Sequence, residues 1–206
     1  MLHKGSHLDA LSFFYDLYFV IDEMQHTAHC ISNVNRETPA SPSTPPLEID
    51  PAIRKKVLRM IPYGIHVITA HFENQVAAAT IDWVTQSSFE PPMVVCCLRR
   101  DSHIYEIVTK ARSYALHPLG ADQKAFAMHF FKNREANEST INGQSYRLGP
   151  LSVPLLTDAP THLVLQYCAE LPQGDHAVVL GQVIHVGLNR ETPPLLLRDT
   201  GWQYGG

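Results

Sequence analysis

The chain has 206 residues, 45% of them hydrophobic, with a net charge of -4. That length predicts one domain with extra sequence attached, and enough apolar material to bury a sizeable core. The acidic balance leaves no electrostatic footprint for nucleic acid, and the short basic run Arg54-Lys55-Lys56 fits a solvated helix face.

Near the N-terminus, Leu8, Leu11, Tyr15 and Tyr18 recur at helical spacing, consistent with a short amphipathic helix. The run from Phe13 to Ile21 is interrupted by Asp16 and is too short to span a bilayer, so no membrane segment is expected. No basic region precedes a clean apolar stretch, as a signal peptide requires. Glu37 to Pro51 carries five prolines among serine and threonine and reads as an extended linker. Residues 1–50 are therefore expected to be an appendage and linker, and residues 51–206 the functional domain.

Asp50 followed by Pro51 pairs an N-cap with proline at the first helical position. Ile53, Val57 and Met60 then give a short helix one apolar face, ended by Pro62 and Gly64. "GIHVITAHF" alternates and is β-branched, as a strand should be, and Ala77 to Trp83 and Met93 to Leu98 read as further strands. Asp101 or Ser102 caps a helix with Ile104, Ile107, Val108 and Ala111 on one face. "SYALHPL" is a short strand cut by Pro118, and "ADQKAFAMHFFK" a helix with Phe126 and Phe130 one turn apart. Residues 133–160 predict little regular structure. Two long strands follow, "THLVLQYCAEL" and "HAVVLGQVIHVGL", joined by "PQGD". Strands and helices do not alternate, which argues against a parallel doubly wound sheet and for an antiparallel barrel with helices outside.

The cysteines at 30, 96, 97 and 168 form no CxxC, and Cys96 and Cys97 should face opposite sides of a strand. They read as buried small hydrophobes in a reducing compartment, so a cytoplasmic location is expected. The twelve histidines include no HExxH and no metal-like spacing, and no metal is expected. Neither GxGxxG nor GxxxxGK[ST] occurs. The stretch "ATIDWVTQSSFEPPMVVCC" remains unexplained by core formation alone, because Thr80, Asp82, Thr85, Gln86 and Ser87 crowd in just before the most apolar run.

That stretch resembles the signature of the flavin reductase-like family of FMN-binding split barrels. Four further segments resemble the family in order: "YGIHVIT", "DQKAFAMHFF", "CAELPQGDHAVVLGQV" and "PPLLLRDTGWQYGG". "DWVTQSSFEPP" and "RDTGWQYGG" look closest to the flavin reductase domain of diflavin flavoproteins. The resemblance implies a mainly β fold: a six-stranded antiparallel Greek-key split β-barrel with short flanking helices, forming a homodimer.

It also implies a flavin site. Thr80, Ile81, Asp82, Trp83, Val84, Thr85 and Ser87 would bind the flavin, the polar groups meeting its carbonyls, N–H groups and hydroxyls and the apolar ones lining the pocket. Arg100 and Ser102 at a helix start would take the phosphate. His176, in Gly-Asp-His, would face the nicotinamide, with Asp175 holding the turn or the ring. Two positions depart from the family pattern: His117, expected to touch the flavin, stands where Asn is usual, and Asp82 where a small Ser is common. The expected activity is an NAD(P)H-dependent flavin oxidoreductase, moving a hydride from NADH or NADPH to FMN, with FAD as the other candidate flavin. Electrons would pass to free flavin, oxygen or a partner protein. The alternative is a non-catalytic FMN-binding electron carrier related to the C-terminal domain of diflavin flavoproteins, and a third reading is a flavin-free barrel used for protein contacts.

Overall fold

A computed structural model describes residues 49–132 and 135–205. The helix expected near the N-terminus, and most of the linker, lie outside the described residues. Helix α1 (Pro51–Leu58) starts where Asp50 and Pro51 dictate: Asp50 Oδ1 accepts from Ala52 N at 2.8 Å and Ile53 N at 3.2 Å. None of its residues is buried, so the Ile53/Val57 face meets no cover among the described residues.

Seven antiparallel strands form the main sheet: β1 (His66–Phe72), β2 (Gln75–Ile81), β3 (Val84–Ser88), β4 (Met93–Arg99), β5 (Ser113–Pro118) and the long pair that ends the domain. That pair, called β9 (Thr161–Leu171) and β10 (His176–Leu188) because three short strands precede it, forms a hairpin. The order across the sheet is β2-β1-β5-β9-β10-β4-β3. Beside β1 runs β5, and beside β10 runs β4, so long connections return to earlier strands in the Greek-key manner. The edge strands β2 and β3 are separated in sequence by only Asp82 and Trp83. Two opposite edges joined by two residues force the sheet to curl until they meet, and the barrel follows from that short connection. The seventh strand is β3, cut from the polar run: its central residues Thr85, Gln86 and Ser87 are exposed, as an edge strand permits.

The core fills the barrel with Ile68, Leu98, Tyr114, Leu116 and Leu165. Helix α2 (His103–Ala111) adds Ile104, Ile107 and Val108 to that cluster. Each such side chain contributes roughly 1.5–3 kcal/mol by leaving water. Ser102 caps the helix, its Oγ accepting from Tyr105 N at 3.3 Å, and Arg112 ends it in the left-handed region. Helix α3 (Lys124–Met128) is shorter than the sequence pattern suggests, and Phe126 meets Phe130 edge to face at 5.4 Å. Cys96 is buried in the core while Cys97 is half-buried on the opposite face, as alternation requires.

The segment expected to be irregular instead holds a second sheet of β6 (Thr140–Ile141), β7 (Gln144–Leu148) and β8 (Pro154–Leu156). Its hairpin turns on Asn142-Gly143, both at positive φ, a two-residue signal that matches the strand twist. Side chains tie this sheet to the barrel. Thr69 Oγ1 donates to Pro154 O at 2.5 Å, and His117 bridges β1 to β8. His117 Nδ1 lies 3.1 Å from Val67 O, and Leu156 N donates to His117 Nε2 at 3.1 Å. A carbonyl on one nitrogen and an amide on the other define a neutral ring with the proton on Nδ1, and burial pushes its pKa down to about 4.

Candidate functional site

The seam where the barrel closes opens into a cleft of about 540 Å³. Ala79, Thr80 and Ile81 at the end of β2, the connector Asp82-Trp83, and Cys97, Leu98 and Arg99 of β4 form one part of its wall. Ser102 and Ile104 at the start of α2, His176 at the start of β10, Phe131, and the C-terminal residues Trp202, Gln203 and Tyr204 complete most of the rest. The C-terminal segment arrives by way of α4 (Leu197–Thr200), which Gly201 terminates at φ 73°.

Thr80 holds the cleft in shape: its hydroxyl donates to Ala127 O at 2.6 Å and its amide donates to Phe130 O, docking α3 beside the seam. Asp82 is only 6% exposed, and its Oδ2 has no hydrogen-bond partner. Burial raises its pKa from 3.8 to about 6, against the opposing pull of local backbone N–H groups and the His176 ring. Next to it, the Trp83 indole lies 4.7 Å from the His176 ring, 5.7 Å from Tyr204 and 6.3 Å from Tyr63, and its Nε1 is also unpartnered.

His176 is held from both sides. Its Nδ1 lies 2.9 Å from Asp175 Oδ1 and its Nε2 3.2 Å from the Tyr204 hydroxyl. The carboxylate accepts a hydrogen bond from Nδ1–H, and in the neutral ring Nε2 accepts from Tyr204 O–H, whose pKa is pushed up by burial and by Asp82. The ring is thereby fixed in one tautomer and one orientation.

Ser102 Oγ accepts from Tyr105 N and donates to Arg99 O at 2.6 Å; the amides of His103 and Ile104, at the very start of α2, have no acceptor within the helix, as at any helix N-terminus. Arg99 forks onto Asp101, with Nε 3.0 Å from Oδ1. Of the residues expected to form the site, Thr80, Ile81, Asp82, Trp83, Ser102 and His176 lie together on the cleft. Val84 instead packs half-buried against the core, and Thr85 and Ser87 are exposed on β3. Arg100 is exposed and donates to Gly174 O at 3.3 Å. His117 lies outside the cleft lining, buried between β1 and β8, with both nitrogens occupied by backbone. Sequence reasoning missed the contribution of Phe131, Trp202, Gln203 and Tyr204; the aromatic content of "GWQY" was visible, but its destination was not.

The cleft thus sits at the seam of an antiparallel barrel, largely apolar, with a helix start and an imidazole on its wall. The chain belongs to the family described as the flavin reductase like domain, whose model matches residues 58–206. It is 28% identical over 149 residues to the reductase component of FADH(2)-dependent resorcinol hydroxylase from Rhizobium sp. (strain MTP-10005), covering 70% of this chain and 82% of that one. It is 26% identical over 130 residues to diflavin flavoprotein A 1 of Synechocystis sp., covering 63% of this chain and 23% of that longer protein. The solved structure of the NADH:FAD oxidoreductase of Streptomyces globisporus superposes with a TM-score of 0.62 at 26% identity, covering 79% of this chain and 99% of that one.

Proposed function

We propose that this chain is an NADH-dependent flavin reductase that delivers reduced flavin, or its electrons, to a second acceptor. One observation carries the reading: the Ser102-capped start of α2 and the clamped His176 ring open on the same largely apolar cleft. The residues fit a flavin. The cleft volume is in the range of cofactor pockets, Ile65, Ile81, Leu98, Ile104 and Leu197 offer apolar walls, and the few polar groups converge on it. Bound flavin supplies the hydride acceptor for the nicotinamide donor.

The protein's own residues bind and orient. The first amides of α2, set in place by the Ser102 cap, hold the flavin phosphate, using the positive end of the helix. Trp83 and Ile81 line the ring seat. Asp175 fixes the tautomer of His176, whose Nε2 faces the donor once Tyr204 moves off it. The resorcinol hydroxylase relative favours an oxygenase as the acceptor of reduced flavin. The protein is proposed to be a homodimer, supported by Phe89, Val186 and Leu188, which are large apolar side chains left exposed. A cytoplasmic location is proposed on the thiols of Cys96 and Cys97, neither of which is in a disulfide. Among the described residues no helix is long and apolar enough to cross a membrane.

Anaerobic spectroscopy tests the reading. Purified protein titrated with FMN or FAD should bind at least one of them, and added NADH should bleach the bound flavin. Failure to bind either flavin, or a bound flavin that stays oxidised under NADH, refutes the reductase.

A further inference from the structure

Buried polar side-chain atoms are nearly always paired, and leaving one unpaired in the folded state is costly. Two such atoms sit on neighbouring residues of the barrel seam: Asp82 Oδ2, an acceptor, and Trp83 Nε1, a donor. Neither pairs with the other, and both residues line the cleft. An acceptor beside a donor is the complement of a planar group that offers one N–H and one C=O.

The C-terminal strap lies against Trp83 of this pair. Gly205 lies against the indole so closely that a Cβ there would come within 3.1 Å of Trp83 Cζ2, and the Tyr204 ring stands 5.7 Å from it. The strap is fastened by exposed contacts: Arg59 Nε donates to Gly205 O at 3.2 Å, Arg59 Nη1 to Gln203 Oε1 at 3.0 Å, and Tyr204 reaches His176. Exposed hydrogen bonds of this kind exchange readily with water, so the cover is cheap to lift.

We propose that Asp82 Oδ2 and Trp83 Nε1 form a two-point seat for an amide or imide edge of the bound ligand, uncovered when the strap Gln203–Gly205 moves aside. The inference rests on the flavin reductase reading, and two ligands of that reaction share the chemistry: the pyrimidine edge of flavin and the carboxamide of nicotinamide. Asp82 takes the N–H and Trp83 gives its proton to the C=O. Lifting the strap also frees His176 Nε2, so seat and imidazole become available together.

Equilibrium binding, without turnover, tests the seat on the full chain. Wild type, Asp82→Ala and Trp83→Phe are titrated with FMN against N3-methyl FMN, and with oxidised NAD against its 3-acetylpyridine analogue, which lacks the carboxamide N–H. Wild type should favour the N–H ligand of one pair by about tenfold or more, as expected for a hydrogen bond to a charged group. In Asp82→Ala that preference should collapse to within about threefold. Trp83→Phe should weaken both members of the pair alike and leave the preference intact. Discrimination within the flavin pair identifies the flavin as occupant, and discrimination within the dinucleotide pair identifies the nicotinamide. No discrimination in wild type, or discrimination that survives Asp82→Ala, overturns the seat while leaving the reductase reading standing. Failure of wild type to bind any of the four ligands overturns both.

Discussion

Replacing Asp82 by Asn should stabilise the ligand-free protein at neutral pH, although it removes a residue of the cleft. The carboxyl is nearly buried, and burial lifts its pKa from 3.8 to about 6. A folded-state pKa above the unfolded value means that the native protein holds this proton more tightly than the unfolded chain. Stability from this group is therefore present at low pH and lost as pH rises from about 4 through about 6. At about 1.4 kcal/mol per pH unit, the carboxylate costs the fold about 3 kcal/mol at pH 7.5. An Asn amide buried at the same place still lacks partners and returns about 1 kcal/mol of that gain. The net expectation is about 2 kcal/mol, or about 4–8 °C in Tm for a domain of this size. The groups facing Asp82, namely Tyr63, Cys97, His176 and Tyr204, are the same in both proteins and largely cancel in the comparison. Thermal unfolding of both proteins between pH 4 and pH 8 is the assay. The gap should be widest above pH 7 and shrink below about 1 kcal/mol near pH 4, where Asp82 is mostly protonated in the folded protein. A variant less stable than wild type at pH 7.5, or a gap independent of pH, would refute the burial argument.

His176→Ala should leave flavin bound and slow its anaerobic reduction by NADH by about 100-fold, because alignment of the donor is lost; an unchanged stopped-flow rate removes the residue from the mechanism. Ser102→Ala should weaken FMN binding about tenfold and cost the fold about 1 kcal/mol through the lost helix cap. A dissociation constant within twofold of wild type puts the phosphate elsewhere. His117→Ala strands Val67 O and Leu156 N in the interior and opens a cavity, so it should lower stability by about 2–4 kcal/mol with flavin affinity unchanged. A large loss of affinity without a fall in Tm would contradict that role. A chain starting at Leu47 should fold and bind flavin like the full chain, and loss of either would make residues 1–46 part of the functional unit.

Runs rich in β-branched residues between turn signals announce strands, so β1, β9 and β10 were legible, as was α2 from its cap and apolar stripe. The second sheet was not, because β7 sits among polar residues and its main signal was two residues long, Asn142-Gly143. The polar run was legible as unusual, and the structure divides it: Asp82 and Trp83 turn into the seam, while Thr85 and Ser87 face solvent on β3. Local pattern does not reveal which part of a polar run meets a cleft, since that depends on where the opposite sheet edge lands. His117 illustrates the same limit, since its two backbone partners lie 50 and 39 residues away. Tyr204 reaches His176 across 28 residues, and nothing in the tail's composition specifies that contact.

On the proposed seat, the two-residue join between β2 and β3 would make cofactor capture and barrel closure a single mechanical event. A molecule lodged at Asp82-Trp83 touches the first and last edges of one sheet at once and acts as a clasp between them. With ligand at a hundred times its dissociation constant, about 2.7 kcal/mol is added against global unfolding. Opening of the seam, rather than fraying at the hairpin tips, then becomes the motion that ligand suppresses. Amide exchange along Thr80 to Val84 and Cys97 should slow on binding, while the β1–β2 turn at Glu73-Asn74 keeps its free rate.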